Sequence, residues 1–290
     1  MFDQLRNHRL LNFFVLGLGV LCISWSAIFV KLSGVPGLST AFYRMAIGFV
    51  GVLPIWYFNR PSQVNWKGLK LAIVCGFLFA IDISLWNTAI VISKASISTL
   101  LANLAPVWVG IAALFFWKQK PTLYFWMGTA ISIFGVAIII GLNEILSTRL
   151  NSGNLLSVLA SIFYGAYMLV TQKGRAFIDT LTFSVVSMGT SAFILFILCL
   201  VFQMPIWGFE SHAWWALAGV GLIPQLVGWL SINYALKFIK PTTASVTLLS
   251  QSVFTALFSV PVLGEYLNWY EGIGAVVVLC GIYLVNKKHI

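Results

Sequence analysis

Ten long apolar segments, separated by short polar breaks, fill most of this chain. The breaks hold turn and helix-stop residues, as at residues 33–37, 59–62 and 203–205. The hydrocarbon core of a bilayer is about 30 Å thick and is crossed by roughly 20 helical residues, so each segment is predicted to be one transmembrane helix. The predicted spans are residues 11–31, 38–58, 68–91, 95–117, 122–142, 153–172, 181–202, 212–236, 241–263 and 268–286.

Composition supports a lipid environment for these segments. Of the 290 residues, 60% are hydrophobic and 8% are charged, and the mean hydropathy is +0.96. A water-soluble domain of this composition would expose more apolar surface than water tolerates. Only helices and closed barrels satisfy the backbone in lipid, and these segments are too long and too continuously apolar for barrel strands. The expected fold is therefore an all-α polytopic membrane protein.

Basic residues are distributed unevenly between the two sides that ten spans define. With the N-terminus inside, thirteen of the 17 Lys and Arg residues fall in cytoplasmic ends and loops, and only Lys31, Lys94 and Arg149 fall outside. This bias predicts an N-in, C-in topology. The net charge of +10 follows the same distribution, so contact with anionic lipid headgroups explains it better than binding of nucleic acid.

One stretch of the sequence is repeated. Residues 87–135 and 233–281 align without a gap at an offset of 146. An odd number of spans separates the copies, so we expect inverted five-helix repeats in residues 1–143 and 153–290. Two similar halves that rock about a shared midplane site are typical of transporters. Identical pairs in the alignment include Asn87 with Asn233, Ala89 with Ala235, Lys94 with Lys240, Gly128 with Gly274, and Gly135 with Gly281.

Two charged residues are predicted to lie within the hydrocarbon. Asp82 is the only acid well inside a predicted span, and Arg44 is the only base fully inside one. A carboxylate there costs about 2.5 to 3.5 kcal/mol, so a partner or a water-filled cavity must offset the cost. In a structural interpretation, Asp82 and Arg44 neutralise each other or pair with backbone carbonyls. In a functional interpretation, Asp82 lines a cavity, where it takes a proton or meets a cationic group of the substrate.

Aromatic and amide groups lie near Asp82 in sequence or in predicted depth. Trp86 follows one helical turn later on the same face, and a carboxylate beside an indole suits a cation or an amino group. In the second half, Gln225 and Trp229 occupy nearly the same depth. A helix-to-helix hydrogen bond is an equally good explanation for Gln225. Pro224 removes a backbone donor and is expected to kink its helix.

Spans four and nine add polar residues near mid-membrane. Close packing of small side chains explains their Ser and Thr residues, but it explains Asn103 and Gln251 less well. Aromatic faces are expected from Trp25, Tyr164 and Tyr167 in the first helix of each half. Asp82 is the candidate for proton coupling, and Arg44 is the candidate for a structural ion pair. The candidates for substrate binding are Asp82, Trp86, Asn103, Gln225, Trp229, Gln251, Trp25, Tyr164 and Tyr167.

Three segments resemble a known family. Residues 86–89 (Trp-Asn-Thr-Ala), 99–107 (Thr-Leu-Leu-Ala-Asn-Leu-Ala-Pro-Val) and 262–265 (Val-Leu-Gly-Glu) are similar to the EamA family of the drug/metabolite transporter superfamily. The resemblance covers both repeats. It implies ten helices in two inverted halves, alternating access, and a central cavity lined by helices one, three, four, six, eight and nine. It also implies export of amino acids, other metabolites or toxic compounds, in some members without ion coupling.

The two halves differ at two positions of the family pattern. The Gly264-Glu265 pair of the second half corresponds to Lys118-Gln119 in the first. Ser252 stands where the first half has Pro106. Hinge and gate roles are therefore not expected to be symmetric between the halves.

Other classes of function fit the sequence less well. His-Glu-x-x-His and Gly-x-Ser-x-Gly motifs are absent, and the histidines lie near ends or loops, which argues against an intramembrane enzyme. The chain has no Walker-type loop for ATP. The four cysteines lie in separate spans and indicate packing, not a disulfide or a metal site.

The sequence therefore predicts a secondary transporter or facilitator in the inner (plasma) membrane. We expect it to export a small amphiphilic or zwitterionic metabolite, such as an amino acid, by alternating access. No cofactor, metal or nucleic acid is expected, and the partners are the substrate, membrane lipids and, under the functional interpretation of Asp82, protons. The alternatives are a channel and, on the same fold, a flippase for a lipid or lipid-linked sugar.

Overall fold

Every regular element is helical in the ranges that the computed structural model describes, namely residues 2–59, 61, 63–92, 95–115, 120–147, 151–263 and 268–287. The helices are α1 (Phe2–Ser24), α2 (Ser26–Ser33), α3 (Gly37–Asn59), α4 (Trp66–Ile92), α5 (Ala95–Ala102), α6 (Ala105–Phe115), α7 (Leu123–Ile140), α8 (Leu142–Ser147), α9 (Ser152–Arg175), α10 (Thr180–Val201), α11 (Ser211–Val220), α12 (Trp229–Ala235), α13 (Pro241–Thr247), α14 (Gln251–Leu263) and α15 (Trp269–Asn286). A π-helical segment, Gly221–Gly228, separates α11 from α12, and a 3₁₀ turn, Leu248–Ser250, separates α13 from α14.

Nine helical stretches among the described residues are long and apolar enough to cross a membrane. Their ends fall within three residues of the predicted spans, which confirms the prediction of an all-helical polytopic membrane protein. Large apolar side chains on them stay exposed, for example Phe58 at 84% and Phe14 at 71%, as expected of surfaces that face lipid. The nine stretches are Leu10–Ser33, Gly37–Asn59, Trp66–Ile90, Leu123–Ile140, Ser152–Arg175, Thr180–Val201, Ser211–Ala235, Pro241–Val262 and Trp269–Asn286.

The predicted fourth span, residues 95–117, is divided in the structure. α5 ends at Ala102, and α6 begins at Ala105. Pro106 has no backbone N–H, so the carbonyl of Ala102 loses the donor that an unbroken helix would provide four residues later. The apolar stretch Leu100–Phe115 is shorter than the nine others, so the fourth span stays a prediction. The interruption leaves Asn103 outside regular helix.

The chain forms two compact units. Unit 1 comprises Met1–Ala80 and Leu169–Lys240, and unit 2 comprises Ile81–Met168 and Pro241–Ile290. Each unit therefore takes helices from both of the predicted repeats.

In unit 1, α3 packs along α10. The ring of Phe42, early in α3, lies 5.6 Å from that of Phe196, late in α10. Near the other end of α3, Trp56 Nε1 donates to Thr182 Oγ1 over 3.0 Å. Because early residues of one helix meet late residues of the other, α3 and α10 run antiparallel.

In unit 2, α7 packs closely against α15. A Cβ added at Gly128 would lie 2.5 Å from the carbonyl oxygen of Gly281, and one at Gly135 would lie 2.9 Å from that of Gly274. Only glycine allows two backbones to approach this closely. The two helices therefore run antiparallel, and the glycines of the first copy face those of the second in reversed order. The apolar core around them contains Phe125, Val136, Ile139, Val246, Leu249, Val253, Val278 and Val285.

Candidate functional site

A buried guanidinium lies in the first half of α3. Arg44 is 5% exposed. Its Nε donates to Oε1 of Gln225 over 2.9 Å, and its Nη1 donates to Oγ of Ser26 over 2.7 Å. A buried guanidinium needs acceptors for its N–H groups, because the interior supplies no bulk water to solvate the charge. Both of these acceptors are neutral oxygens on other helical segments, so Gln225 does make a helix-to-helix hydrogen bond. We call these three residues the Arg44 cluster.

Both acceptors lie where a helix is irregular. Ser26 begins α2, directly after the interruption at Trp25. Gln225 is 1% exposed and lies in the π-helical segment. Pro224 cannot donate a backbone N–H, which accounts for the departure from α-helical geometry there. π-helical segments within α-helices are frequent at functional sites.

Two of the aromatic residues that are candidates for substrate binding lie next to these irregular segments of unit 1. Trp229 directly follows the π-helical segment and is 5% exposed. Its ring packs edge-on against Phe79, with centroids 4.7 Å apart. Trp25, at the interruption between α1 and α2, is half-buried, and its ring lies 5.8 Å from that of Phe29. Both indoles therefore lie next to elements that carry the Arg44 cluster.

A second polar cluster lies in unit 2. Asn103 is 3% exposed, and its Nδ2 donates to Oγ of Ser252 over 3.0 Å. Its Oδ1 accepts a hydrogen bond from Nε2 of Gln251 over 3.3 Å. Gln251 and Ser252 are half-buried. The structure therefore brings together two of the predicted site residues, Asn103 and Gln251, and we call these three residues the Asn103 cluster.

The Asn103 cluster joins two interrupted helices at equivalent positions of the sequence repeat. Asn103 lies between α5 and α6, and its repeat partner Leu249 is the centre of the 3₁₀ turn. Ser252 occupies the repeat position of Pro106, so the residue that departs from the family pattern supplies an acceptor in this cluster. Irregular backbone at membrane depth is tolerated where protein buries it or where it lines a water-filled cavity.

The part of α4 that belongs to unit 2 carries a further buried amide. Asn87 is 1% exposed, and neither its Nδ2 nor its Oδ1 has a hydrogen-bond partner among the described residues. Its repeat partner in unit 1, Asn233, is equally buried but donates from Nδ2 to Oγ of Ser184 over 3.3 Å. An unpaired buried polar group costs about 1–3 kcal/mol, so its hydrogen bonding distinguishes Asn87 from Asn233. The sequence analysis did not include Asn87 among the candidates for substrate binding, although its identity with Asn233 singled it out.

The remaining predicted residues of unit 2 differ in burial. Asp82 and Trp86, one turn apart on α4, are both half-buried. On α9, Tyr164 is half-buried and Tyr167 is 2% exposed. Their grouping with the predicted residues of unit 1 stays a prediction, as does the ion pair between Asp82 and Arg44.

The chemistry of the two clusters is hydrogen bonding in apolar surroundings. The Arg44 cluster presents a guanidinium, an amide and a hydroxyl, and the Asn103 cluster presents two amides and a hydroxyl. Groups of these kinds are able to hydrogen-bond a small polar ligand. Within the described ranges, no three His, Cys, Asp or Glu side chains lie close enough to hold a metal ion.

Comparison with known families gives the clusters a context. The profile of the EamA-like transporter family matches the chain twice, over residues 11–141 and 151–287. This chain belongs to the EamA-like transporter family. It is therefore a membrane transporter for a small molecule, surrounded by lipid, and the predicted family and the predicted multi-pass location in the plasma membrane are confirmed.

Curated relatives match this EamA-like transporter over most of its length. An uncharacterized transporter of Archaeoglobus fulgidus is 25% identical over 288 residues, which are 95% of this chain and 97% of the relative. The uncharacterized transporter YdfC of Bacillus subtilis is 25% identical over 258 residues, 86% of this chain and 83% of the relative. A protein of known crystal structure is 14% identical, with a TM-score of 0.79 over 95% of this chain and 97% of that one, which shows a shared fold.

Proposed function

We propose that this transporter exports a small amphiphilic or zwitterionic metabolite, such as an amino acid, by alternating access. The observation that carries the proposal is the position of the Arg44 and Asn103 clusters, each at an interruption of a membrane-spanning helix. Interrupted helices present half-helix ends and backbone groups to small polar substrates near the membrane midplane. Hydrogen-bonding side chains at the same positions add orientation and specificity.

The groups on α4 favour a zwitterion over a simple anion. Asp82 offers a negative charge to an ammonium group, and Trp86, one turn away, offers an aromatic face to the same group. Both side chains are half-buried. Asn87 lies on the same helix with an amide that has no partner among the described residues, and its Nδ2 is a donor for a substrate carboxylate. Asp82 is also the group that we propose for proton coupling, because an intramembrane carboxylate is the usual proton carrier in transporters.

The same proposal takes the chain as ten transmembrane helices in two inverted five-helix repeats, residues 1–143 and 153–290. The contacts of Gly128 with Gly281 and of Gly135 with Gly274 support it, because equivalent helices of inverted copies pack antiparallel about a two-fold axis. The distribution of Lys and Arg supports an N-in, C-in orientation. Green fluorescent protein fused to either terminus is therefore expected to fold and fluoresce; a dark C-terminal fusion with a bright N-terminal one contradicts an even number of spans.

Uptake into proteoliposomes from a mixed pool of amino acids and other metabolites, measured by mass spectrometry, tests the substrate class. We expect zwitterions to enter faster than anions of similar size, and empty liposomes to take up neither. Movement of a labelled lipid between leaflets, with no uptake from the pool, favours the flippase and contradicts the proposal.

A further inference from the structure

A polar cavity of about 310 Å³ opens at one end of unit 1. The segment before α4 and the turn between α9 and α10 frame it, together with the end of α12. The lining includes Gln63, Asn65, Arg175, Phe177, Asp179 and Lys237. This cavity belongs to neither of the polar clusters described above, and its size suits a small charged headgroup.

Arg175, at the end of α9, gives the cavity a buried cation. The residue is 3% exposed. Its Nε donates to the carbonyl of Asn233 over 3.1 Å, Nη1 donates to the carbonyl of Ile178, and Nη2 donates to Oγ1 of Thr180. A guanidinium has five N–H donors. These bonds use three of them, so one N–H on each terminal nitrogen has no acceptor in the part of the chain that the structure describes.

Two residues of the lining, Phe177 and Lys237, take part in contacts between an exposed lysine and an exposed aromatic ring. The ammonium group of Lys67 lies 5.9 Å from the ring centroid of Phe177, and that of Lys237 lies 5.6 Å from that of Phe238. Phe238 is 52% exposed. Aromatic rings with neighbouring lysines are typical of the membrane–water interface, where the ring meets acyl chains and the ammonium group meets phosphates. We therefore expect this end of unit 1 at headgroup level.

We propose that the cavity binds the phosphate of an anionic phospholipid headgroup. Two cations, Arg175 and Lys237, and one acid, Asp179, line it. The carboxylate of Asp179 already accepts the backbone N–H of Thr182 over 2.9 Å, as the N-cap of α10. A phosphate diester is an acceptor for the two remaining N–H groups of Arg175, and a guanidinium bonds strongly to such an anion. Gln63 and Asn65 present amides to the glycerol of the headgroup.

The test is lipid binding by the purified full chain in a neutral detergent, counted by native mass spectrometry. The probes are phosphatidylglycerol and phosphatidylcholine with identical acyl chains. We expect the first phosphatidylglycerol to bind at least tenfold more tightly than phosphatidylcholine. Each charge near the surface contributes about 1 kcal/mol, or roughly five-fold in affinity. Lys237→Gln is therefore expected to weaken phosphatidylglycerol binding about five-fold.

Two variants separate this site from general surface charge. Lys240→Gln removes an equal charge three positions away, outside the cavity, and is expected to leave binding of the first lipid unchanged. Asp179→Asn keeps the helix cap, because Asn caps as well as Asp, and removes the acid, so it is expected to tighten binding about five-fold. Equal effects of Lys237→Gln and Lys240→Gln overturn the proposal. Displacement of the lipid by millimolar glycerol 3-phosphate also overturns it, because the site then serves a soluble phosphate.

Discussion

Arg44 Nε donates to Oε1 of Gln225 over 2.9 Å, so α3 is tied to the π-helical segment within unit 1. Gln225→Leu removes this acceptor and leaves a buried charged donor short of a partner. We expect the free energy of unfolding in detergent to fall by about 1.5–3 kcal/mol. Ser231→Ala is the control, because the hydroxyl of Ser231 makes a local bond to the carbonyl of Val227, four residues earlier. Equal stability of the two variants contradicts a structural role for the bond.

The hydrogen bond between Asn103 and Ser252 is expected to couple the two interrupted helices of unit 2. In a double-mutant cycle of Asn103→Ala and Ser252→Ala, we expect a coupling free energy of about 0.6 kcal/mol, with about 1.7 as the upper end. Thermal or denaturant unfolding in detergent measures it. In the control cycle, Ser259→Ala takes the place of Ser252→Ala. Ser259 also lies on α14, but its hydroxyl bonds to the carbonyl of Ala256. Strict additivity of the Asn103 and Ser252 changes contradicts the contact.

Asn87 and Asn233 are repeat partners with different hydrogen bonding. Replacing each of them in turn therefore distinguishes a loss of transport from a loss of stability. Asn87→Leu removes an amide without a described partner, so the free energy of unfolding is expected to stay equal or rise by up to about 2 kcal/mol. Transport is expected to fall at least tenfold, because the substrate contact that we propose for Asn87 is then lost. Asn233→Leu breaks the hydrogen bond to Ser184, and its free energy of unfolding is expected to fall by about 1 kcal/mol. A loss of stability in Asn87→Leu as large as in Asn233→Leu would mean that the protein itself pairs the amide of Asn87.

Close approach of α7 and α15 requires glycine at the contact. A Cβ at Gly135 would lie 2.6 Å from the backbone nitrogen of Val278, so Gly135→Ala is expected to destabilise unit 2 by about 1–3 kcal/mol. Gly272→Ala is the control on α15, because a Cβ there meets nothing within 4 Å. It is expected to stabilise the helix by about 0.5–1 kcal/mol. Unfolding midpoints in detergent measure both changes, and a stabilising Gly135→Ala contradicts the contact.

Replacement of Asp82 tests proton coupling. Asp82→Asn keeps the size of the side chain but cannot exchange a proton, so accumulation driven by a pH gradient is expected to disappear. Uptake of the substrate into proteoliposomes with and without the gradient measures this. Glu210→Gln changes an exposed acid, 83% accessible, and is expected to behave like the wild type. Normal transport by Asp82→Asn with unchanged pH dependence contradicts both its coupling role and its amine-binding role.

The positions of the spans were predictable because apolar runs and turn residues are local features. The ends of Leu10–Ser33 and Thr180–Val201, for instance, follow directly from Gly34 and Pro36 and from Gln203 and Pro205. The break at Asn103 was harder to predict, because proline is tolerated within many transmembrane helices and only its context decides the outcome.

The contacts within the candidate site were less predictable than the spans. Residues 44 and 225 are 181 positions apart, and a sequence pattern does not fix the rotation of one helix against another. Ser252 looked like a departure from the family pattern, and its role as an acceptor for Asn103 emerges only from packing. In the sequence, Arg175 is one of the thirteen basic residues assigned to the cytoplasmic side. Its burial was not predictable, because it depends on the helix ends that pack around it.

Counterflow is the most direct test of alternating access. Proteoliposomes are loaded with unlabelled substrate and diluted into a trace of the same compound carrying a label. We expect the labelled compound to accumulate transiently above its outside concentration, with an initial rate that saturates, because the loaded site returns faster than the empty one. Flux that rises linearly with concentration and is not stimulated from the opposite side would indicate a channel and contradict alternating access.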